Sequence, residues 1–150
     1  MSCVSAGLFD GLFGEKQQDN VVEIDHIKFN TTNETKFKLY NETNGTGWSA
    51  KHYIDENETG FNFWIYNCSG LDKSAWQSNL KTYKAEKYDN VPSETVNGVV
   101  IYTTSAGQGK HVGEPRYDAV VENHDLQSIV KFSSPNPNET AKMVLSIKFN

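Results

Sequence analysis

The sequence predicts an α+β domain, a mostly antiparallel sheet of about six to seven strands with a helix packed on each face. Three observations predict it. Short segments in which apolar and polar residues alternate recur along residues 22–132, the period-2 signature of half-buried strands. Most pieces between them are short and rich in Asn, Gly, Thr and Asp, which suits hairpins rather than parallel crossovers of roughly a dozen or more residues. Two longer segments, residues 69–84 and 137–149, instead carry apolar residues at helical spacing.

Taken in order, residues 22–29 form the first strand and residues 35–40 the second, with Phe37 and Leu39 on one face. NTTNE between them is a turn. After the polar stretch NETNGTG, residues 50–55 and 61–67 flank ENETG, a hairpin connection that contains glycine. In the second of these strands Phe61, Phe63 and Ile65 point one way, and Trp64 and Tyr66 the other. A strand apolar on both faces is normally covered on both, so it is placed centrally, and Trp64 and Trp76 are assigned core-facing positions. The first helix spans residues 69–84, with Ser69 and Asp72 as its capping pattern and Leu71, Ala75, Trp76, Leu80 and Tyr83 as its stripe. Strands follow at residues 95–104, 116–123 and 126–132, the last two joined through Asn123, His124 and Asp125. The second helix spans residues 137–149, with Asn136 as cap, Pro137 at the first position and Glu139 at the third.

Residues 1–20 read as a leader and residues 21–150 as one domain. A chain of 150 residues buries roughly two-thirds of its unfolded surface, enough for a real core. No stretch approaches the ~18 to 20 apolar residues that a spanning helix needs. The formal charge is −5 and Arg116 is the one arginine. Without a basic patch interleaved with aromatics, nucleic acid is not an expected partner.

Seven Asn-x-Ser/Thr triplets occur, at Asn30, Asn33, Asn41, Asn44, Asn57, Asn67 and Asn138. With 15 Asn and 23 Ser plus Thr, random order would give about two. Sequons are used outside the cytoplasm, so the excess predicts an exported glycoprotein, placed outside the cell or on its surface. Val4-Ser5-Ala6 puts short residues at the −3 and −1 positions of a signal-peptidase cut between Ala6 and Gly7. The basic and apolar regions of a signal peptide do not precede it, which suits a chain whose true start lies upstream. Cys3 would leave with the signal. Cys68, at the end of an apolar strand, then has no disulfide partner and reads as a buried structural thiol. GLFDGLFG at residues 7–14 reads either as a leader remnant or as a short interfacial anchor.

Residues 126–149, LQSIVKFSSPNPNETAKMVLSIKF, resemble the C-terminal end of small exported proteins of methanogenic archaea, and VSAGLFDGLFG is similar to their leader junctions. The order of elements is in turn similar to the PsbP/Mog1-like α/β/α sandwich. The resemblance implies architecture and compartment. It carries no catalytic motif, so it implies no functional residue.

The search for chemistry yields loops rather than motifs. His26, His52, His111 and His124 are widely spaced; His124 with Glu122 and Asp125 at a hairpin tip reads as a solvated turn rather than a metal site. No metal-ligand or cofactor pattern is present, and neither is a nucleophile elbow. SAGQGKHVG at residues 105–113 is Gly-rich but lacks the spacing of a phosphate-binding loop. It reads as a loop between strands, and if a ligand site sits on a loop, Lys110, His111 and Arg116 are its binding residues. Trp48, in GTGWSA, reads either as a sugar-stacking residue working with Tyr53 or as a ring folded over the sheet edge. The leading expectation is an exported cell-envelope domain with a non-catalytic binding or structural role, its partner an unidentified envelope protein or glycan. The alternatives are an extracellular ligand-binding module, for carbohydrate as an example, and a secreted hydrolase-like enzyme working from residues 110–116.

Overall fold

The computed structural model describes residues 19–32, 34–107 and 109–150. The expected cleavage site at Ala6 and Gly7, Cys3, the GLFDGLFG segment and Asn33 lie outside the described residues. The strands are β1 (Asn20–Ile24), β2 (Ile27–Thr31), β3 (Phe37–Gly45), β4 (Trp48–Asp55), β5 (Asn62–Asn67), β6 (Ser93–Val96), β7 (Val99–Ser105), β8 (Pro115–Asn123), β9 (Ser128–Ser134) and β10 (Lys148–Phe149). Helix α1 (Lys73–Tyr88) lies between β5 and β6, and α2 (Pro137–Ser146) between β9 and β10. Seven strands form an antiparallel sheet in the order β3-β4-β5-β9-β8-β7-β6, and β10-β2-β1 form a smaller antiparallel sheet. The predicted class, α+β with a large antiparallel sheet, is what forms.

Several boundaries differ from the sequence expectation, each for a local reason. Residues 22–29 are not one strand, because Asp25 takes a left-handed φ of 58° and the chain reverses between β1 and β2. Residues 95–104 likewise split at Asn97 (φ 51°) and Gly98 (φ 84°), the residue pair that two-residue hairpin turns prefer. The polar NETNGTG stretch extends the β3/β4 hairpin as far as Gly45 opposite Trp48. An edge strand with solvent on one side tolerates that polarity. Helix α1 starts after Asp72, whose carboxylate accepts from the Ala75 amide at 2.8 Å, and not at Ser69. Helix α2 starts as expected, with Asn136 capping and Pro137 first. It stops at Ser146 because Lys148 and Phe149 leave to pair with Lys28 and Ile27 of β2.

The central strands β5 and β9 set the two faces of the large sheet. Phe63, Ile65, Val130 and Phe132 point inward and are buried against Val22, Ile27 and Phe29 of the small sheet and Met143 of α2. Phe29 meets Phe63 and Phe132 edge-on, with ring centroids 5.2 and 4.8 Å apart. Val99, Ile101, Ala119 and Ala141 continue this core under α2. Thr140 fixes the helix to the sheet by donating to the Tyr117 carbonyl at 2.7 Å.

The expected helix on each face is therefore corrected. A second sheet together with α2 covers the inner face, while α1 covers only part of the other side, its last turn reaching β7 where Tyr88 stacks on Tyr102 at 4.3 Å. There Trp76 and Leu80 pack on Cys68 and Ile129, and Lys84 pairs with Glu122 at 2.8 Å. The chain spends its apolar residues on a sheet-on-sheet core, and α1 has too few buried side chains to cover a seven-stranded surface. The uncovered remainder of that outer face is where the polar residues gather.

Among the sequon asparagines, Asn41, Asn44, Asn57 and Asn138 are exposed, and Asn30 and Asn67 are half-buried. Asn41 and Asn44 lie on the edge strand β3. Asn67 accepts from the Ser69 amide at 3.0 Å. No helix among the described residues is long and apolar enough to cross a membrane.

Candidate functional site

Strand alternation dictates the floor of the site. Residues directly opposite in antiparallel strands share a face, so the pairing places His52, Trp64, Lys131 and Val120 in one row across the outer face. The next row holds Ile54, Asn62, Ser133, Asp118 and Tyr102. Arg116 and Thr104 pair in the row beyond. Two connections form the rim: residues 56–61 between β4 and β5, and residues 106–107 and 109–114 between β7 and β8. Together they enclose a groove of about 860 Å³, within the usual range of ligand pockets.

The rim is braced from within. Buried Asp55 accepts from the Thr59 hydroxyl and, at 3.3 Å, from the Asn57 amide, which holds the first loop in shape. His111 joins the two loops: its Nε2 donates to the Glu58 carbonyl at 3.2 Å, and its Nδ1 lies 3.0 Å from the Glu114 carboxylate. Arg116 is 6% exposed, and Nη1 donates to the Pro115 carbonyl at 2.9 Å. Its guanidinium lies against Gly60, where φ is +97° and a Cβ would come within 2.9 Å of Nη2. Glycine is required there both for backbone angle and for space.

One wall is aromatic. The His52 and Trp64 rings stack at 4.2 Å with 5° between their planes, and Tyr66 follows Trp64 at 5.7 Å and 13°. Tyr40 meets His52 edge-on at 5.6 Å. The Lys131 ammonium stands 6.0 Å from the Trp64 centroid, at the limit of cation–π attraction. On the other side Asp118 is 6% exposed. Its Oδ2 accepts from the Thr104 hydroxyl at 3.3 Å, and Oδ1 has no hydrogen-bond partner among the described residues.

Burial shapes the charges. Desolvation holds the His52 imidazole below its ordinary pKa, nearby Lys131 lowers it further, and the hydrogen bond to Asn62 at 3.1 Å opposes them. His52 is thus neutral near pH 7. Desolvation also lowers the Lys131 ammonium, the neighbouring Lys87 adds to this, and Asp118 opposes it.

Of the residues singled out in the sequence, Lys110, His111 and Arg116 do converge on the groove. Trp48 and Tyr53 do not join them. The Trp48 indole folds over Gly45, where a Cβ would fall 2.2 Å from its Nε1. That is the sheet-edge alternative. Tyr53 faces inward and stacks on Phe63 at 4.9 Å. Trp64, expected in the core, lines the groove instead, and Trp76 is buried beneath α1.

Sequence reasoning missed His52, Trp64, Asp118 and Lys131 as site residues. A signal existed in charge position: Lys131 interrupts the apolar strand SIVKFSS, and Arg116 and Asp118 are two apart in β8. Such charges need a reason to sit in central strands. His124 and Glu122 are 3.1 Å apart at the hairpin end, and Glu122 also accepts from Lys84, an ion-pair cluster. Among the described residues no group of three or more His, Cys, Asp or Glu could hold a metal. Cys68 is buried, and desolvation raises its thiol pKa.

Comparison with known proteins returned no family model, no curated relative and no solved structure that matches this chain.

Proposed function

We propose that the chain is an exported domain that binds a small polar ligand in the outer-face groove without transforming it, with carbohydrate as the ligand class. The observation that carries this is the groove itself: about 860 Å³, with aromatic rings on one side and hydroxyl, amide and charged groups on the other. Sugars present apolar C–H faces and hydroxyls together, and sites for them combine these two kinds of wall. The hydrogen bonding of the two groove histidines supports binding over hydrolysis. His52 bonds to Asn62, and His111 bonds to Glu58 and Glu114. Neither is paired with a hydroxyl or thiol among the described residues, as a base that activates a nucleophile would be.

The compartment rests on the seven sequons and on the likeness of residues 126–149 to small exported proteins of methanogens, on a scaffold whose element order is similar to the PsbP/Mog1-like layout. Exposure of Asn41, Asn44, Asn57 and Asn138 supports it. Protein recovered from its native cells is expected in the extracellular or envelope fraction, with glycan mass attached. Recovery from the cytosol without attached glycan would overturn the compartment. For the groove, calorimetry of the full chain against a panel of neutral and acidic mono- and disaccharides is expected to find binding. Trp64→Ala should weaken it at least tenfold with the far-UV spectrum unchanged, worth about 1.4 kcal/mol or more. A panel that leaves the amide resonances of β5 and β9 unmoved would overturn the ligand-binding reading.

A further inference from the structure

The groove gathers several cations that have no counterion. On the rest of the surface some lysines do pair with carboxylates, Lys51 with Asp25 at 3.3 Å, Lys84 with Glu122 at 2.8 Å and Lys142 with Asp19 at 2.5 Å. The groove holds Lys38, Lys110, Lys131 and Arg116, and none of them forms an ion pair among the described residues. Two of these sit in the floor, where a charge without a counterion costs most. Arg116 is 6% exposed, and among the described residues its one side-chain hydrogen bond is to the Pro115 carbonyl. Lys131 is in the central strand, its ammonium 6.0 Å from the Trp64 ring centroid and without an ion pair or hydrogen bond among the described residues.

Among the described residues, the buried carboxylate in the groove that keeps an unpartnered oxygen is Asp118. It lies diagonally across the sheet from Lys131 and favours the ammonium through space, but the two form no ion pair. The cations call for an anionic group, while Asp118 Oδ1 calls for a donor. A bare inorganic anion would satisfy the first and press negative charge against the second. A ligand with both a carboxylate and hydroxyl donors satisfies both, and the hydroxyls of Thr104 and Ser133 on either side of Asp118 suit the remaining polar groups of such a molecule.

We propose that the groove selects an acidic sugar, a uronic-acid-type ligand whose carboxylate is held by Lys131 and Arg116 and whose hydroxyl donates to Asp118. This rests on the ligand-binding reading above and adds the class of ligand to it. Burial strengthens each of these contacts, since charge-assisted hydrogen bonds gain in a desolvated site.

The test is calorimetry of the full chain with D-glucuronate, D-galacturonate, D-glucose, D-galactose, inorganic phosphate and L-glutamate. The uronates are expected to bind at least about tenfold more tightly than their neutral parents, and to weaken as ionic strength rises. Lys131→Met should remove the difference between acidic and neutral sugars, whereas Asp118→Ala should weaken both. Lys131→Gln serves as a second variant if the methionine form does not fold. Neutral sugars bound as tightly as uronates would overturn acidic selection and leave the groove reading standing. Phosphate or glutamate bound more tightly than the uronates would overturn the sugar class. Binding of none of the six would overturn this proposal, and the wider saccharide panel then decides the reading beneath it.

Discussion

The two faces of the seven-stranded sheet are built from the same strands and obey different rules. On the inner face Phe63, Val130 and Phe132 are fully buried among apolar partners. One residue along, on the outer face, Trp64 and Lys131 are half-buried, and Asp118 is buried with its Oδ1 unpartnered among the described residues. Burial on the first face stabilises the fold through area and packing. On the second, burying a polar atom without a partner costs stability. The comparison teaches that burial alone does not distinguish the two faces; what distinguishes them is whether the buried groups are apolar or polar.

Substitutions should separate the two faces sharply. Phe132→Ala removes a fully buried ring from the inner core and is expected to cost about 3–5 kcal/mol in denaturant unfolding. A cost below about 1 kcal/mol would mean that the sheet-on-sheet core is not the stabilising one. Gly60→Ala should cost about 1–2 kcal/mol, because alanine is strained at φ +97° and its Cβ crowds the guanidinium. Its distinguishing effect is a displaced Arg116 side-chain resonance.

Acid should find the outer face before the inner one. The folded-state pKa of His52 is lowered, chiefly by burial, so the unfolded state takes up the proton first. Stability is then full above about pH 6.5 and declines as pH falls through the lowered value. Asp25 and Glu122, whose pKa values are also lowered, add their own losses only further into the acid range. Thermal unfolding between about pH 6.5 and 5 should therefore be less pH-sensitive in His52→Gln than in the unsubstituted chain. Equal sensitivity would show that His52 is not desolvated. The smallest expected change is the most telling. Lys131→Met replaces a desolvated cation by an apolar chain of similar length, and stability should stay within about 1 kcal/mol or rise. A loss as large as that of Phe132→Ala would make Lys131 a structural residue.

The legible part of the site followed its loops. Lys110 and His111 were found because a Gly-rich stretch with polar residues reads as a loop, and loops carry function. Trp64 was misplaced because an aromatic residue in an apolar strand has the same pattern whether a helix or a ligand covers it. Asp118 and Lys131 belong to strands whose relative register depends on the β8–β9 turn. That turn is longer than the Asn123-His124-Asp125 turn expected, running from Asn123 to Ser128 with Gln127 at φ 51°. Without the register, two charges in two strands are not visible as neighbours.

By itself the sequence determined the local elements in outline: alternation located the strands though not the reversals at Asp25 and Asn97, Asn136 capped the second helix as expected, and the hairpin connections imposed an antiparallel sheet. Those signals act within a few residues and need no knowledge of distant partners. Tertiary structure alone decided which face of the sheet met a second sheet, that the last residues left α2 to join β2, and which side chains from six strands share one groove. These outcomes depend on competition between alternative burials of the same apolar residues. That competition is settled only when strands far apart in the chain pack together.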